Sequence, residues 1–437
     1  MGHTVPKRTL ESGLFLAAGS KINFLMDSSS KRREFLNLLL PLYLPAFLFS
    51  FSYSLLVPVL PMYAAGFNVP FSLVGLLMAG DSVGMLLGDL PAGMLMRRLG
   101  QKNSMILGLI LAGGSTSLLF WAPTIAWAVA FRMIAGLGSS FFSVSRHFYL
   151  TEMTPMDNRG RILSTFGGIF RFGRLLGPLA GGTVAALFGL RASFLSFGLV
   201  CFIALLVVIF YLPHIEVLGQ STPGGAKPKG SLIAYTLKTQ FRTLSTAGLG
   251  YLFMQMVRSG PVTMIPLYGT FVLNLDVQTL GLITGFSSGL DMLLFYPAGM
   301  LMDRWGRKYA MISSCVFLSA GLAMIPFMQS GLSLLLAGII SGLGNGLGSG
   351  VMMTLGADLS PQVGRSEFLG AWTLVGDIGS ASGPLVTGKL ADLMPLPLTA
   401  WVIAAGGLVA ILIFWFFVPE TLKKNQPVQS AGKSPAS

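Results

Sequence analysis

Seven ionisable side chains stand inside apolar stretches long enough to cross a lipid bilayer: Asp81, Arg132, Arg171, Arg174, Arg258, Asp291 and Asp377. A charge at a bilayer centre costs at least ~2.5–3.5 kcal/mol on insertion scales, so such residues pair, carry protons or hold polar substrates. At ~1.5 Å rise per residue, all but Arg132 fall ~15–21 Å from the start of their stretch, which is mid-membrane. Histidine is absent from these positions, so a carboxylate is the expected proton carrier, with Asp81, Asp291 and Asp377 the candidates. Three central arginines against three aspartates fit an anionic or zwitterionic substrate once a carboxylate is protonated. The competing reading of each charge is a structural ion pair that fixes helix register. Arg146 and His147, near one end of their stretch, are expected to snorkel, and Asp89 lies similarly close to that end. Met254, Met256, Met264, Phe253 and Phe286 read either as an adaptable cavity lining or as packing and lipid-facing residues.

The elements that must position these groups follow from composition. Of 437 residues, 53% are hydrophobic and 10% are charged, which is membrane rather than globular composition. A bilayer core of about 30 Å needs roughly 20 apolar residues per helix. Such stretches are expected near 36–63, 71–97, 104–122, 125–150, 161–188, 192–212, 246–273, 278–302, 309–328, 331–356, 366–391 and 396–418. The formal net charge of +13 sits mostly in short connections on one side, including Arg97, Arg98, Lys102, Arg304, Arg307 and Lys308. Arg191 and Lys389 lie on the other side. The excess therefore reads as membrane topology with the basic side cytosolic, and not as a nucleic-acid surface. The expected division is a cytosolic tail over 1–35, a six-helix bundle over 36–212, a cytosolic linker over 213–245, a second bundle over 246–418 and a cytosolic tail over 419–437. Both termini are then cytosolic. Cys201 and Cys315 fall inside apolar stretches and indicate neither a disulfide framework nor a metal site.

An internal repeat organises the chain. An offset of 206 matches Pro91-Ala92-Gly93-Met94-Leu95-Met96 to Pro297-Ala298-Gly299-Met300-Leu301-Met302. The same offset pairs Arg98 with Arg304, Gly136-Leu137-Gly138 with Gly342-Leu343-Gly344, and Gly177-Pro178-Leu179 with Gly383-Pro384-Leu385. Two copies in the same orientation predict an all-α membrane protein: twelve transmembrane helices in two pseudo-symmetric six-helix bundles, related by an axis along the membrane normal. The buried charges depart from this symmetry. Asp81 corresponds to Ser287, Arg132 to Gly338, Arg174 to Ser380 and Asp291 to Met85, while Arg171 corresponds to Asp377. An Arg171–Asp377 pair that forms across the cavity in one state and separates in another is the expectation that follows.

The repeated loop carries a family resemblance. Gly299-Met300-Leu301-Met302-Asp303-Arg304-Trp305-Gly306-Arg307-Lys308 resembles the G-x-L-x-D-R-x-G-R-K element of the major facilitator superfamily, and the first copy has Arg97 in place of the aspartate. Arg132-x-x-x-Gly136-x-Gly138 is similar to an element of proton-coupled members, in which the arginine is assigned a part in coupling. Gly173-x-x-x-Gly177-Pro178-x-x-Gly181-Gly182 is similar to the antiporter element of drug and proton exporters. The resemblance implies the major facilitator fold. It also implies a cytosolic gate involving Gly93, Arg98, Gly299, Asp303, Arg304 and Arg307, with Asp303 expected near Arg161 at the start of the fifth helix. The glycines of the antiporter element offer a smooth packing face, and Pro178 and Pro384 omit one backbone hydrogen bond each and permit bending, so Gly177, Pro178, Gly383 and Pro384 are gating candidates.

The function expected is secondary active transport in the cell membrane: proton-coupled export of a small amphiphilic organic compound by alternating access, by a monomer without a cofactor. An importer, symporter or exchanger of an organic anion is the alternative. A non-transporting sensor or lipid-handling protein on the same scaffold is a third. Nucleotide hydrolysis is not expected, because no G-x-x-x-x-G-K-[ST] loop is present.

Overall fold

The computed structural model describes residues 39–152, 159–213, 235 and 238–422. The expected N-terminal tail, most of the expected linker and the residues beyond 422 lie outside the described residues. All regular structure among the described residues is helical. The helices are α1 (Leu44–Leu55), α2 (Val59–Ala65), α3 (Phe71–Leu118), α4 (Ile125–Glu152), α5 (Arg159–Phe188), α6 (Ala192–Tyr211), α7 (Phe241–Phe271), α8 (Val277–Trp305), α9 (Arg307–Met324), α10 (Gly331–Leu347), α11 (Val351–Leu359), α12 (Arg365–Leu393) and α13 (Leu396–Phe417). They make twelve membrane spans. α1 and α2 form one span interrupted before Pro58, and α10 and α11 form one interrupted at Gly350, whose φ is +78°. α3 contains two spans that reverse at Gly100.

The sequence repeat is written into the turns. Gly100 and Gly306, an offset of 206 apart, both hold positive φ, +79° and +108°, where a side chain would be strained. Asn68 and Asn274 occupy the same register at the opposite end, each with φ of +50°. Helix ends are capped in parallel as well. Lys102 Nζ donates to the Ile209 carbonyl at 2.7 Å, and its repeat mate Lys308 donates to the Trp415 carbonyl at 2.6 Å. Both ammonium groups thereby satisfy free carbonyls at the C-terminal ends of α6 and α13, where a cation is also favoured by the helix dipole.

Nine segments among the described residues are long and apolar enough to cross a membrane on length and composition. α5, α7 and α12 have the length, 30, 31 and 29 residues, but are not in that set. They carry Arg171 and Arg174, Arg258, and Asp377 respectively, together with many of the glycines and serines. Such composition is tolerated where a helix is shielded from lipid by protein on most sides.

The two bundles meet along two seams, α5 against α8 and α12 against α3. At the end remote from the basic loops the seams are glycine contacts. A Cβ at Gly281 would lie 2.5 Å from the Pro178 carbonyl oxygen and 3.0 Å from Gly182 Cα. In the symmetric seam a Cβ at Gly75 would meet the Pro384 carbonyl oxygen and lie 3.0 Å from Gly388 Cα. Backbones can approach this closely only without side chains. Eighteen residues further along α3 and eighteen back along α12, about 27 Å away, Gly93 and Gly370 have nothing within 4 Å of an added Cβ. The bundles are clasped at one end and splayed at the basic end.

Candidate functional site

Between the bundles lies a cavity of about 520 Å³, within the range of small-molecule sites. Its walls mix hydroxyls, such as Tyr53, Ser54, Ser139, Ser288 and Ser380, with apolar groups such as Phe49, Val57, Met85 and Ile265. Arg174 from the first bundle and Arg258 and Asn345 from the second also line it.

Asp291, on α8 and 2% exposed, is the hub of the charged groups. Arg171 Nη1 donates to both of its oxygens, at 3.2 and 3.3 Å. Arg174 Nη1 stands 3.6 Å from Oδ2. Asn345 Nδ2 donates to Oδ2 at 3.1 Å and Ser349 Oγ to Oδ1 at 3.3 Å. Asn345 then turns its carbonyl groups to Arg258: Nε donates to Oδ1, and Nη2 to the backbone oxygen at 3.2 Å, with Gly348 accepting from Nη1 at 3.4 Å. Four residues thus surround one carboxylate, two of them cations from the opposite bundle. The Arg171 guanidinium also lies 4.5 Å from the Phe295 ring centroid, giving it an aromatic face in place of water.

In this arrangement the partner of Arg171 is therefore Asp291, and Arg171 and Asp377 stand apart. The reason is geometric. The symmetry that relates α5 to α12 places them on opposite seams, so each faces a helix of the other bundle rather than its own counterpart. Asp377 is half-buried on the α3–α12 seam, in the electrostatic field of Asp89. Asp89 accepts a 2.5 Å hydrogen bond from Ser140 Oγ.

A second charged pair stays within the first bundle. Arg132 Nη1 lies 3.8 Å from Asp81 Oδ1, with the side chains 3% and 2% exposed. Ser139 Oγ donates to the same oxygen at 3.4 Å, and the Arg132 guanidinium sits 6.0 Å from the ring centroid of Tyr53, which lines the cavity. Arg146 does not snorkel. It is 8% exposed, with its guanidinium 5.0–5.5 Å from the rings of Phe142, Phe166 and Phe170, because the facing helix α5 offers aromatics there and covers it. Met254, Met256 and Met264 are buried in the cores of the second bundle, so they pack rather than line the cavity, and Phe286 is exposed.

The gating candidates divide by end. Gly177 packs on α1, where an added Cβ would lie 2.6 Å from the Phe51 carbonyl oxygen, and Gly383 packs on α7 against Ser259 and Met256. The neighbouring Pro178 and Pro384 carbonyls form the two glycine seams. At the basic end Arg98, Asp303 and Arg304 are exposed, and a Cβ added at Gly93 or Gly299 would meet nothing within 4 Å. The side chain of Arg161, the expected neighbour of Asp303, lies outside the described residues. Arg307 Nε stands 3.3 Å from Asp358 within its own bundle. Glu420 caps the start of α9, accepting from the backbone N–H groups of Arg307 at 2.9 Å and Lys308 at 3.0 Å.

Asn345, Ser349, Tyr53, Gly75, Gly281 and Glu420 were not singled out by the sequence. The repeat held a signal for three of them. Gly75 and Gly281 are offset mates, and so are Ser139 and Asn345, which bring a hydrogen-bond donor to Asp81 and to Asp291 respectively.

The chain resembles proteins of known class in sequence and fold. It is 24% identical over 382 residues to a multi-drug resistance efflux pump PmrA homolog of Lactococcus lactis, covering 84% of this chain and 91% of the relative. It is 24% identical over 347 residues to multidrug resistance protein 2 of Bacillus subtilis, covering 78% and 85%, and 21% identical over 339 residues to an uncharacterized MFS-type transporter of Methanocaldococcus jannaschii, covering 78% and 87%. Among solved structures, the nucleoside transporter NupG superposes with a TM-score of 0.72 at 16% identity over 87% of this chain and 99% of that one. The xylose transporter XylE of E. coli gives 0.66 at 18% over 88% and 96%. The family model of the Major Facilitator Superfamily matches residues 42–290 and 247–437. With the fold, the repeat and this match in agreement, the chain belongs to the major facilitator superfamily, and is a multi-pass membrane transporter rather than an enzyme.

Proposed function

We propose that the protein exports a small amphiphilic organic compound from the cytosol in exchange for protons, by alternating access to the central cavity. The observation that carries this reading is a cavity between two bundles that are clasped at one end and splayed at the other, with ionisable groups at mid-membrane. The relatives named as multidrug efflux pumps support export. In this reading the basic end is cytosolic by the positive-inside rule, both termini lie there, and the cavity opens to the cytosol. One chain supplies both bundles, 36–212 and 246–418, so a monomer suffices.

Asp81, Asp291 and Asp377 are the proton carriers in this proposal. Arg132 couples Asp81 to the cavity through Tyr53, and Arg171, Arg174 and Arg258 meet substrate or hold Asp291. Gly177, Pro178, Gly383 and Pro384 form the outer gate, while the loops around Gly93 and Gly299, with Arg98, Asp303, Arg304 and Arg307, form the inner one. Inside-out vesicles with an acidic lumen test the proposal: uptake of a fluorescent amphiphile is expected and is expected to stop when an ionophore collapses the pH gradient. Uptake indifferent to the gradient refutes proton coupling.

A second reading, an importer, symporter or exchanger of an organic anion, is favoured by one observation, the gathering of three arginines around the single carboxylate of Asp291. Electroneutral anion exchange in the absence of a pH gradient would select it.

A further inference from the structure

The charges around Asp291 do not balance. Its two oxygens already receive Arg171, Asn345 and Ser349 by hydrogen bond and Arg174 by ion pair. A carboxylate has about four acceptor sites, so it is saturated. Arg174 is held only loosely: at 3.6 Å it is beyond hydrogen-bond distance, its side chain is 34% exposed, and it lines the cavity. Arg258 lines the cavity from the opposite bundle, its contacts going to neutral groups of Asn345 and Gly348. Of the other buried carboxylates, Asp81 faces Arg132 and Asp377 lies on the other seam beside Asp89. Three cations and one anion thus share a poorly hydrated region, leaving two positive charges whose mutual repulsion an anion would relieve.

Resting on the transporter reading, we infer that the cavity binds the acidic group of an amphiphilic organic anion, a carboxylate or phosphate ester, between Arg174 and Arg258, with Asp291 as the internal competitor for Arg174. Guanidinium forks suit both acids, because two parallel N–H donors match two oxygens. The hydroxyl-lined wall near Ser54, Ser139 and Ser380 accepts polar substituents, and Phe49, Val57 and Ile265 cover an apolar body. Asp291 then gives the site a definite logic. While ionised it holds Arg171 and Arg174, and an entering anion must take Arg174 from it, so removing its charge strengthens anion binding. A pocket built for cations predicts the reverse, with Asp291 as the attracting group.

Isothermal titration of the purified full chain in phosphatidylcholine nanodiscs tests this with 1-naphthoate, 1-naphthyl phosphate and 1-naphthylmethylammonium, which share a ring system and differ in charge. The two anions are expected to bind at least about tenfold more tightly than the ammonium. Arg174→Gln and Arg258→Gln are each expected to weaken naphthoate by about tenfold or more and not to weaken the ammonium, and Asp291→Asn to tighten naphthoate by about tenfold. Because Asp291→Asn strands buried arginines and threatens folding, the variant Arg171→Gln/Asp291→Asn removes one charge of each sign and is expected to bind naphthoate at least as tightly as the parent. Preference for the ammonium, indifference to both arginine variants, or loss of naphthoate binding in the folded double variant overturns the inference. A fall in naphthoate affinity when phosphatidylglycerol replaces part of the phosphatidylcholine, persisting in high salt that screens the bilayer's surface charge, identifies a lipid headgroup as the bound anion and overturns the assignment of a soluble one. Binding is read without transport, so the two readings separate: naphthoate that binds as described but is not moved by a pH gradient in proteoliposomes upholds the site and refutes proton-coupled export of such a compound, and gradient-driven transport of a fluorescent amphiphile without naphthoate binding does the opposite.

Discussion

Replacing Gly281 by alanine should drive the protein out of the clasped arrangement. The added Cβ would sit 2.5 Å from the Pro178 carbonyl oxygen, 3.0 Å from Gly182 Cα and 3.3 Å from its nitrogen. Non-bonded contacts involving carbon favour about 3.5–4.0 Å, so α5 and α8 must part by about 0.5–1 Å. All the nearest atoms are backbone, and no side chain can rotate away. Overpacking of this kind costs about 1–3 kcal/mol, and only while the seam is closed. An opposite arrangement, splayed at this end, does not bear the cost, so its population rises about 5–150-fold relative to the clasped one. Gly75→Ala acts on the symmetric seam through Pro384 and Gly388; the two seams share no residues, so the effects should add. The assay uses a single reporter cysteine at Ser288, which lines the cavity, with the buried Cys201 and Cys315 left in place. A charged thiol reagent is applied to oriented vesicles from each side. Labelling from the glycine-seam side should accelerate by the factor above in Gly281→Ala and further in the double variant, while labelling from the basic side slows. Gly114→Ala, with nothing within 4 Å of its Cβ and outside both gates, is the control. Unchanged labelling in Gly281→Ala, or an equal change in Gly114→Ala, would refute the gate.

Arg132→Ala strands Asp81 in a site 2% exposed, and should cost about 3–5 kcal/mol of stability; Asp81→Ala/Arg132→Ala should recover most of the lost melting temperature, and proton-driven transport that recovers with it would mark the pair as structural. Glu420→Gln weakens the cap on α9 by about 1–2 kcal/mol, which hydrogen exchange should report as faster exchange of the Arg307 and Lys308 amides, with no change at the first-copy loop around Gly100. Lys102→Met and Lys308→Met each remove one hydrogen bond to a helix-end carbonyl, and should lower stability by similar amounts, about 0.5–1.5 kcal/mol; strongly unequal melting shifts would mean that the two loops are not equivalent.

Much of the fold was legible because a membrane restricts the alternatives. Apolar runs of about 20 residues separated by charged turns admit few readings, and the offset of 206 then fixes two copies in parallel orientation. α5, α7 and α12 also emerged from the sequence, although their charges and glycines dilute their apolarity, because their length and loop signals survive that dilution. The charges of the candidate site were legible as residues out of place in lipid. Their partners were not. Symmetry proposed Asp377 for Arg171 in one state of the cycle, whereas in this arrangement the symmetry mates sit on opposite seams and meet different helices. Ser349 gave no warning and Asn345 only that of its offset mate Ser139, because a neutral amide or hydroxyl in a membrane helix costs far less than a charge and so does not stand out. Arg146 failed the snorkelling rule because that rule assumes lipid beside the helix, and three phenylalanines stand there instead.

Symmetry and its breach fall on different parts of the molecule. The glycine seams, the positive-φ turns at Asn68 and Asn274 and at Gly100 and Gly306, and the lysine caps obey the 206-residue offset. A rocking motion requires this, since two bundles turning about a common axis need equivalent bearings on both seams. A site for an asymmetric compound requires the reverse. If Asp291 had a carboxylate mate at Met85, and Arg171 an arginine mate at Asp377, both seams would hold the same arginine–carboxylate latch and the cavity would be equally basic on both sides. Instead one seam carries Arg171, Arg174 and Asp291, and the other carries Asp89 and Asp377 with no arginine between them. The field across the cavity therefore runs from the α5–α8 seam, which is positive, to the α3–α12 seam, which is negative. On the inference that Arg174 and Arg258 receive an acid, that gradient would orient an amphiphile before contact, with its acid turned toward Arg174.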